Sequence, residues 1–255
     1  MKANYENWVP KRLIFSSFGA SVIAAYFTYA GYKKDMVELT VIFAIVSILF
    51  LFATFRLTFM YMAFSYDGKR QLSRRIIDGT AECLGEVKGQ ILEVGAGSGA
   101  LSIAVAKKNP DAKVIGVDRW GKEYAAFSKA LCEENAKAEG VSNVEFKEGS
   151  ATSLDFEDEV FDGLVCNYVY SNISGFNKQE LILESLRTVK KGGKFAIHDI
   201  MTKSKYGDIE KLVDKLRADG YEEVHLIRTD EGKFMSKFEG YFCGLRGSML
   251  LVGTK

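Results

Sequence analysis

The 255-residue sequence predicts an α/β fold, in which two transmembrane helices precede a seven-stranded, mostly parallel sheet with an antiparallel last strand. Strand-like and helical patterns alternate from about residue 90, which is typical of a parallel sheet covered by helices on both faces. No crossover helix is expected between the last two strands, so the last strand should run antiparallel to its predecessor. Two long uncharged segments come before this alternation.

The two uncharged segments are residues 13–31 and 39–55. Each approaches the length of about 20 apolar residues that a helix needs to cross the hydrocarbon core of a bilayer. We therefore predict transmembrane helices at about 13–32 and 37–60, in an anchor that covers residues 1–64. A buried helical hairpin in a water-soluble protein is the alternative. Lysines and arginines flank both outer ends of the hairpin, and the positive-inside rule then places the N-terminus and the following domain in the cytoplasm.

The cytoplasmic domain is predicted to cover residues 65–255. Its strands are predicted because short apolar runs are bounded by glycine or charged residues, a pattern typical of strands buried on both faces. In chain order these strands are residues 90–95, 112–118, 143–149, 161–169, 194–200, 222–229 and 248–255.

The helices between the strands are predicted from apolar residues at intervals of three or four, followed by glycine or an Asn-Pro pair as a helix stop. In the segment 178–193 this apolar face consists of Leu181, Leu183, Leu186 and Val189, with a pair of glycines as the stop. No helix is expected within residues 230–247. The predicted helices of the sheet region are residues 99–109, 122–140, 178–193 and 208–220, and a helical segment at 70–79 precedes them.

The composition excludes several classes of function. Lys and Arg total 34 against 33 Asp and Glu, so no basic excess favours a nucleic acid as partner. The two histidines and four scattered cysteines lack the spacing of a metal site, and we predict no metal. Nothing in the sequence identifies a protein partner.

A glycine-rich turn follows the first strand of the sheet, in "ILEVGAGSGAL" at residues 91–101. Gly95, Gly97 and Ala100 match the dinucleotide-binding pattern G-x-G-x-x-G/A. A membrane-tethered NAD(P)-dependent oxidoreductase is therefore one hypothesis for the function. A lone match of this kind does not decide between ligands.

Glu93 lies within the strand that leads into this turn. Its neighbours Leu92 and Val94 face one side of the sheet and Glu93 faces the other, in a strand buried on both faces. Burying an unpaired carboxylate costs several kcal/mol, so a partner is expected. A cationic ligand satisfies Glu93 better than a pyrophosphate does.

The acid two residues before a G-x-G-x-G turn resembles the first motif of the class I S-adenosylmethionine-dependent methyltransferases, and the resemblance covers most of residues 70–255. It implies a Rossmann-like fold whose antiparallel last strand agrees with the one predicted above, and S-adenosylmethionine as cofactor. It further implies that Glu93 lies near the amino group of the cofactor and that the turn approaches its methionine part. The turn residues concerned are Gly95, Ala96, Gly97 and Gly99.

Other cofactor contacts are implied at the ends of the next strands. The acid that ends the second strand binds the ribose hydroxyls in that family, and the segment after the third strand flanks the adenine. One residue of that segment departs from the family, which usually has an acid where this chain has a serine. The predicted contacts are Asp118, Arg119, Ser150 (the serine in question), Ala151, Thr152 and Asn167.

Candidate catalytic residues follow the fourth and fifth strands, where the ligand crevice of such sheets lies. His198 is the preferred general base, with a structural hydrogen-bonding role as the alternative, and Asp199 orients it or contacts the acceptor. Tyr168 is the third candidate. The connection 229–247 forms the wall of an apolar pocket or packs on the sheet edge.

A membrane tether concentrates an enzyme near lipophilic molecules. We therefore predict a small, lipid-like methyl acceptor, such as a quinone, a polyprenoid or a hydrophobic thiol or phenol. A non-catalytic scaffold that retains the cofactor site is the third hypothesis, beside the methyltransferase and the oxidoreductase.

Overall fold

The computed structural model describes residues 2–121 and 126–255. The chain divides into two compact units. One contains the residues up to Glu6 together with Arg74–Lys255, and the other is Asn7–Ser73. The division thus differs from the predicted boundary after residue 64: the helical unit continues to Ser73, and the first residues of the chain belong with the α/β unit.

The helical unit contains α1 (Lys11–Lys33) and α2 (Val37–Phe64). They include the two predicted spans, and both helices are long and apolar enough to cross a membrane. At 1.5 Å per residue, their 23 and 28 residues extend over about 35 and 42 Å.

Small and hydroxyl-bearing side chains form the contact between these two helices. Ser21 Oγ donates to the carbonyl of Ser47 at 3.1 Å, and Ser47 Oγ donates to the carbonyl of Ser21 at 3.0 Å. A Cβ added to Gly31 would meet Thr40 Oγ1 at 2.7 Å, so glycine permits the close approach of the helices there. The large apolar side chains of both helices are mostly exposed.

The α/β unit contains seven strands and seven helices among its described residues, most of them in alternation. Its strands are β1 (Gly89–Val94), β2 (Ala112–Asp118), β3 (Val144–Glu148), β4 (Phe161–Asn167), β5 (Val189–Ile200), β6 (Glu222–Arg228) and β7 (Ser248–Thr254). Its helices are α3 (Leu72–Leu84, which begins at the end of the helical unit), α4 (Ala100–Lys108), α5 (Lys129–Ala138), α6 (Lys178–Arg187), α7 (Lys203–Tyr206), α8 (Ile209–Ala218) and α9 (Lys237–Phe242).

The strands form one sheet in the order β3-β2-β1-β4-β5-β7-β6. The first five strands of this order are parallel to one another, and β7 pairs antiparallel with both β5 and β6. This confirms the predicted fold class. The chain leaves β1 toward one edge and returns to β4 on the other side, so a crevice opens at the carboxyl ends of β1 and β4, where ligands bind in such sheets.

Successive side chains of each strand point to opposite faces of the sheet, as predicted for β1. Leu92 and Val94 join an apolar core that also contains residues of α6 and α8. Glu93 points to the opposite face and reaches Ser102 of α4. Both faces of the central strands are therefore covered by helices, which explains their almost continuous apolar sequence.

The structure corrects the bounds of two predicted helices. The helix predicted over 178–193 ends at Arg187, because Val189 pairs with Phe161 in the sheet and its apolar side chain belongs to a strand. The helix predicted over 122–140 begins at Lys129, with Ser128 as its N-cap. Residues 122–125 of that prediction lie outside the described residues.

A helix also lies in the segment 230–247, where none was expected. Ser236 and Glu239 form a capping box, in which each side chain accepts a hydrogen bond from the backbone of the other, and this begins α9. The helix has only six residues. Periodicity over so short a segment is not distinctive, although the Ser-x-x-Glu spacing was a usable signal.

Candidate cofactor and acceptor site

The glycine turn between β1 and α4 combines one open position with two tightly packed ones. A Cβ on Gly95 would collide with Val169, and a Cβ on Gly99 would meet the ring of Phe146 at 2.9 Å. A Cβ on Gly97 would meet no atom nearer than the ring of Phe127 at 3.8 Å, so the space above Gly97 is open. Gly97 also has a φ of +54°, which favours glycine. The turn therefore has room for a ligand at Gly97, whereas Gly99, which we predicted to approach the cofactor, packs against the protein.

Asp118, at the carboxyl end of β2, holds this turn. Its Oδ2 accepts a hydrogen bond from the backbone N of Gly97 at 2.9 Å, and its Oδ1 accepts one from the backbone N of Trp120 at 2.9 Å. The indole Nε1 of Trp120 donates to the carbonyl of Gly97 at 2.9 Å. The carboxylate retains lone pairs that can accept from two further hydroxyls, as the predicted ribose contact requires.

Glu93 is buried beneath α4, and the hydroxyl of Ser102 donates to its Oε2. Burial raises the pKa of this carboxyl from 4.5 to about 8, and the nearby Asp118 also contributes to the rise. The predicted partner of Glu93 was a ligand cation, and the structure adds a partner within the chain, nine residues away in sequence. A cationic group near Glu93 would offset the cost of its ionisation.

The segment predicted to flank the adenine lies beside Asp118, because the backbone N of Gly149 donates to the carbonyl of Asp118 at 3.0 Å. Ser150 Oγ and Thr152 Oγ1 are 2.8 Å apart and hydrogen-bond to each other. Ala151 is half-buried against the core. Arg119 follows Asp118 directly and its side chain is exposed.

His198 is completely buried in β5, and both of its ring nitrogens are hydrogen-bonded within the protein. Its Nδ1 lies 2.8 Å from Oδ1 of Asn167, and its Nε2 lies 2.7 Å from Thr229 Oγ1. Because an amide oxygen can only accept, Nδ1 of the neutral imidazole donates and Nε2 accepts. The rings of Tyr168 and Phe234 lie edge-on to the imidazole, with centroids at 4.7 and 5.3 Å. Burial lowers the pKa of His198 to about 3. These contacts favour the structural alternative for His198 over the role of general base.

Asp199 does not contact His198, because successive residues of a strand face opposite sides of the sheet. Its Oδ2 accepts from the backbone N of Ser171 at 2.9 Å and from the hydroxyl of Tyr206 at 2.8 Å. Asp199 therefore fixes the loop after β4 instead of orienting the imidazole. The Oγ of Ser171 is buried without a hydrogen-bond partner among the described residues, so a bound molecule has a group to satisfy there.

Tyr168 lies directly after β4 and adopts a left-handed backbone conformation, with a φ of +55°. Such a conformation in a bulky residue costs about 1–3 kcal/mol and is commonest at functional sites. Its hydroxyl is 2.8 Å from Ser248 Oγ at the start of β7. Burial raises the pKa of this hydroxyl above its usual value, so Tyr168 acts as a neutral hydrogen-bonding group.

The connection between β6 and β7 has both buried and exposed apolar side chains. Phe234, Met235 and Cys243 are buried, whereas Phe238 and Tyr241 are exposed. The connection thus packs on the sheet through its first part and exposes two aromatic rings through α9.

The polar partners of these site residues were not found by sequence reasoning. Thr229 and Ser248 lie 31 and 80 residues from the residues that they contact, whereas Ser102 lies only nine residues from Glu93, and isolated serines and threonines carry no motif. Trp120 had a usable signal in its position, two residues after Asp118.

The predicted cofactor fits the groups that the structure brings together. S-adenosylmethionine carries an ammonium group and two vicinal ribose hydroxyls. Asp118 binds the backbone of the turn at Gly97, and Glu93 lies in the strand that leads into the turn, so two carboxyl groups that suit these groups are close to the turn in the chain. A carboxylate stabilises an ammonium group and accepts hydrogen bonds from hydroxyls, so these residues fit the predicted cofactor.

Comparison with known families and proteins also indicates a methyltransferase. A family profile described as a methyltransferase domain matches residues 86–239, which is more than half of the chain. An uncharacterized methyltransferase of Bacillus subtilis, YcgJ, is 34% identical over 120 residues, 47% of this chain and 43% of that protein. A demethylmenaquinone methyltransferase of Thermus thermophilus is 26% identical over 133 residues, 52% of this chain and 56% of that protein. The chain thus spans about half the length of these relatives.

Solved structures share the fold at lower sequence identity. A geranyl diphosphate methyltransferase in complex with GPP and sinefungin has a TM-score of 0.55 at 12% identity, covering 76% of this chain and 81% of that chain. The [4+2]-cyclase SpnF has a TM-score of 0.54 at 19% identity, covering 73% and 82%. Since these two proteins are named for different reactions, the fold alone does not decide the chemistry.

Proposed function

The chain belongs to the S-adenosylmethionine-dependent methyltransferases, and from this premise we propose that it is a membrane-anchored enzyme that methylates a small, lipophilic acceptor. Its cofactor is S-adenosylmethionine, so the nicotinamide alternative is not retained. The bound cofactor supplies a methyl group activated on a sulfonium. The protein must bind the cofactor, align the acceptor and exclude water, and such positioning can supply several kcal/mol of the barrier reduction.

The observation that carries the membrane proposal is the arrangement of side chains in the helical hairpin. The buried residues of α1 are Ser17, Ser21, Ala24 and Gly31, all small and two of them polar. The buried residues of α2 are confined to its last turn. A helix pair with small, hydrogen-bonded residues inside and large apolar residues outside suits lipid as its solvent. In water the same surface would be a very large exposed apolar patch.

Exposed aromatic residues at the acceptor edge support the lipophilic acceptor. Among the described residues of the α/β unit, the exposed large apolar side chains are those of Phe176, Phe238 and Tyr241. Phe176 belongs to the loop after β4, and the other two belong to α9 in the connection after β6. Both segments follow the carboxyl ends of their strands. Lys237 and Arg246, also exposed, accompany these aromatics, a combination that suits the interface of an anionic bilayer.

The name of one relative suggests which lipophilic acceptor to test first. The Thermus thermophilus protein is called a demethylmenaquinone methyltransferase. A demethylated quinone is therefore our first choice among the lipophilic acceptors.

The residues at the ends of β4 and β5 are assigned positioning roles. Asn167 is held by His198, and Tyr168 is held by Ser248, so two polar groups at the crevice have fixed orientations. We assign the alignment of the acceptor to Tyr168 and the unpartnered hydroxyl of Ser171. The contacts with the methionine part and the ribose are assigned to Glu93, with the turn at Gly97, and to Asp118. The remaining predicted contacts, Gly95, Ala96, Gly99, Arg119, Ser150, Ala151 and Thr152, line or support the same edge of the sheet.

The test uses the full chain in lipid nanodiscs with S-adenosylmethionine labelled in its methyl group. Lipid extract or aqueous cell extract is added, and the label is followed after phase partition. We expect label in the organic phase, no transfer by Asp118→Ala, and reduced transfer by the double variant Phe238→Ser/Tyr241→Ser with unchanged binding of S-adenosylhomocysteine.

Two outcomes would contradict the proposal in different ways. Label that enters only aqueous products would mean a soluble acceptor. Intact binding of S-adenosylhomocysteine without transfer in either extract would favour the non-catalytic scaffold.

A further inference from the structure

Residues 2–6, which we call the N-terminal strap, precede the first apolar helix but belong to the same compact unit as the sheet. We propose that the strap forms part of the cofactor site by holding the glycine turn through Asn135. Asn135 is then a positioning residue for the cofactor. The affinity for the cofactor depends on a segment that ends five residues before α1 begins at Lys11.

Three hydrogen bonds of one buried amide connect the strap to the turn. Asn135 lies on α5 and is 2% exposed. Its Nδ2 donates to the carbonyl of Asn4 at 2.9 Å and to the carbonyl of Ser98 at 2.9 Å. Its Oδ1 accepts from the backbone N of Asn4 at 2.7 Å. The side chain of Asn135 thus hydrogen-bonds to both the N–H and the carbonyl of Asn4, and its amide also donates to the glycine turn.

The hydrogen bond from Asn135 to the carbonyl of Ser98 helps to fix the conformation of the glycine turn. Cys132, one helical turn before Asn135 on α5, contacts the carbonyl of Gly97 with its Sγ at 3.2 Å. Two successive carbonyls of the turn are therefore directed at α5. Because a trans peptide is planar, the N–H groups of Ser98 and Gly99 are turned away from α5 by the same contacts. Loss of the Asn135 amide would leave the Ser98 carbonyl without this partner and remove one of the contacts that hold the turn.

The strap has its own structure, which presents Asn4 to Asn135. Asn4 Oδ1 accepts from the backbone N of Glu6 at 3.1 Å, and Asn4 Nδ2 donates to Glu6 Oε1 at 2.6 Å. Glu6 adopts a left-handed conformation, with a φ of +53°, and the chain turns there. Tyr5, between them, is buried. The strap is thus a structured element, and its removal should affect the residues that it contacts.

The effect should be specific to cofactor binding. Without the strap, the amide of Asn135 loses two of its three partners, and its hold on Ser98 is no longer oriented. We expect an affinity for S-adenosylhomocysteine that is about five- to tenfold weaker, because this corresponds to about 1.0–1.4 kcal/mol, the net contribution of one hydrogen bond, here the one to Ser98.

The test measures binding of S-adenosylhomocysteine to the full chain in nanodiscs by isothermal titration calorimetry. Asn135→Ala and Asn4→Pro should each raise Kd about five- to tenfold. Asn4→Ala loses the same side chain as Asn4→Pro but keeps the backbone N–H, so it should bind more tightly than Asn4→Pro. Asn143→Ala is the matched control, because Asn143 also bridges several backbone carbonyls with its amide, at Ala106, Asn109 and Ala112. It should leave Kd unchanged.

Hydrogen exchange in the cofactor-free protein gives a second readout. Asn135→Ala and Asn4→Pro should accelerate exchange in the peptide 91–103, whereas Asn143→Ala should not. Wild-type Kd and exchange in both test variants would overturn the proposal. So would equal Kd values for Asn4→Pro and Asn4→Ala, since the backbone N–H of the strap would then have no role.

The inference rests on the proposed placement of the cofactor at the turn. The Kd of Asp118→Ala distinguishes failure of that placement from failure of the strap proposal. If Asp118→Ala also binds with the wild-type Kd, the placement is wrong. If Asp118→Ala binds weakly while the strap variants bind normally, only the strap proposal is overturned.

Discussion

Glu93→Gln is expected to remove a pH-dependent loss of stability from the cofactor-free protein. Burial beneath α4 raises the pKa of Glu93 from 4.5 to about 8, although Ser102 donates a hydrogen bond to it. The folded chain therefore retains a proton that the unfolded chain releases. The stability due to this proton is fully present below about pH 4.5 and is lost as the pH rises toward 8.

The magnitude follows from the size of the shift. Between the unfolded and folded pKa values, the free energy of unfolding falls by about 1.4 kcal/mol for each pH unit. From pH 6 to pH 8 the loss is about 2 kcal/mol, because the slope decreases close to the folded pKa. For a domain of this size, that corresponds to a fall of about 4–8 °C in Tm.

The assay is thermal unfolding of the full chain in detergent, followed by tryptophan fluorescence between pH 5.5 and 8.5. Trp120 is a suitable probe, because its indole is bonded to Gly97. The Tm of the wild type should fall relative to that of Glu93→Gln as the pH rises. Ser102→Ala should extend the fall to higher pH, because it removes a donor to the carboxylate and so raises the folded pKa of Glu93 further. Parallel curves for wild type and Glu93→Gln would refute the reasoning.

The same protonation should be coupled to the cofactor. An ammonium group near Glu93 stabilises the carboxylate, so binding below pH 8 must release a proton. The affinity for S-adenosylhomocysteine should therefore rise by up to about tenfold for each pH unit as the pH approaches 8. This slope should disappear in Glu93→Gln, which should also bind more weakly. Calorimetry in buffers of different ionisation enthalpy would measure the released proton directly.

Three further predictions concern other parts of the protein. Gly99→Ala should lower the stability by about 1–3 kcal/mol in thermal unfolding because it overpacks Phe146, whereas Gly97→Ala should mainly weaken S-adenosylhomocysteine binding in calorimetry. His198→Gln should lower the rate of methyl transfer without changing its pH profile between pH 5 and 8, because the imidazole is neutral throughout that range; loss of an inflection near pH 6.5 would instead identify a base. Ser21→Val and Ser47→Val should show a coupling of about 0.6 kcal/mol in a double-mutant cycle of hairpin stability in detergent, and strict additivity would contradict the hydrogen bonds between α1 and α2.

The roles of His198 and Gly99 depend on partners that the sequence does not show. His198 was predicted as a base because it ends a strand at the ligand crevice, but its function depends on what surrounds the ring. Asn167 and Thr229 each lie 31 residues away in sequence, and they occupy both nitrogens. The same applies to Gly99, whose role as a packing glycine depends on Phe146 of another strand.

The sequence by itself determined the features that arise from local patterns. Apolar runs and helical periods placed all seven strands, the order of the alternation and the two long apolar helices, since these depend on residues within one element. The motif from Glu93 to Gly99 was also sufficient for the resemblance to the class I methyltransferases, and that resemblance implied the type of cofactor. Such motifs are local because one strand and one turn carry them.

The tertiary structure decided which side chains become partners. The fold brings Thr229 to His198, 31 residues away, and Asn4 to Asn135, 131 residues away. Hydrogen bonds of this kind depend on how distant elements cross, and periodicity within an element contains no information about that crossing. The burial that results shifts the pKa values of Glu93 and His198 in opposite directions, because one group is an acid and the other a base.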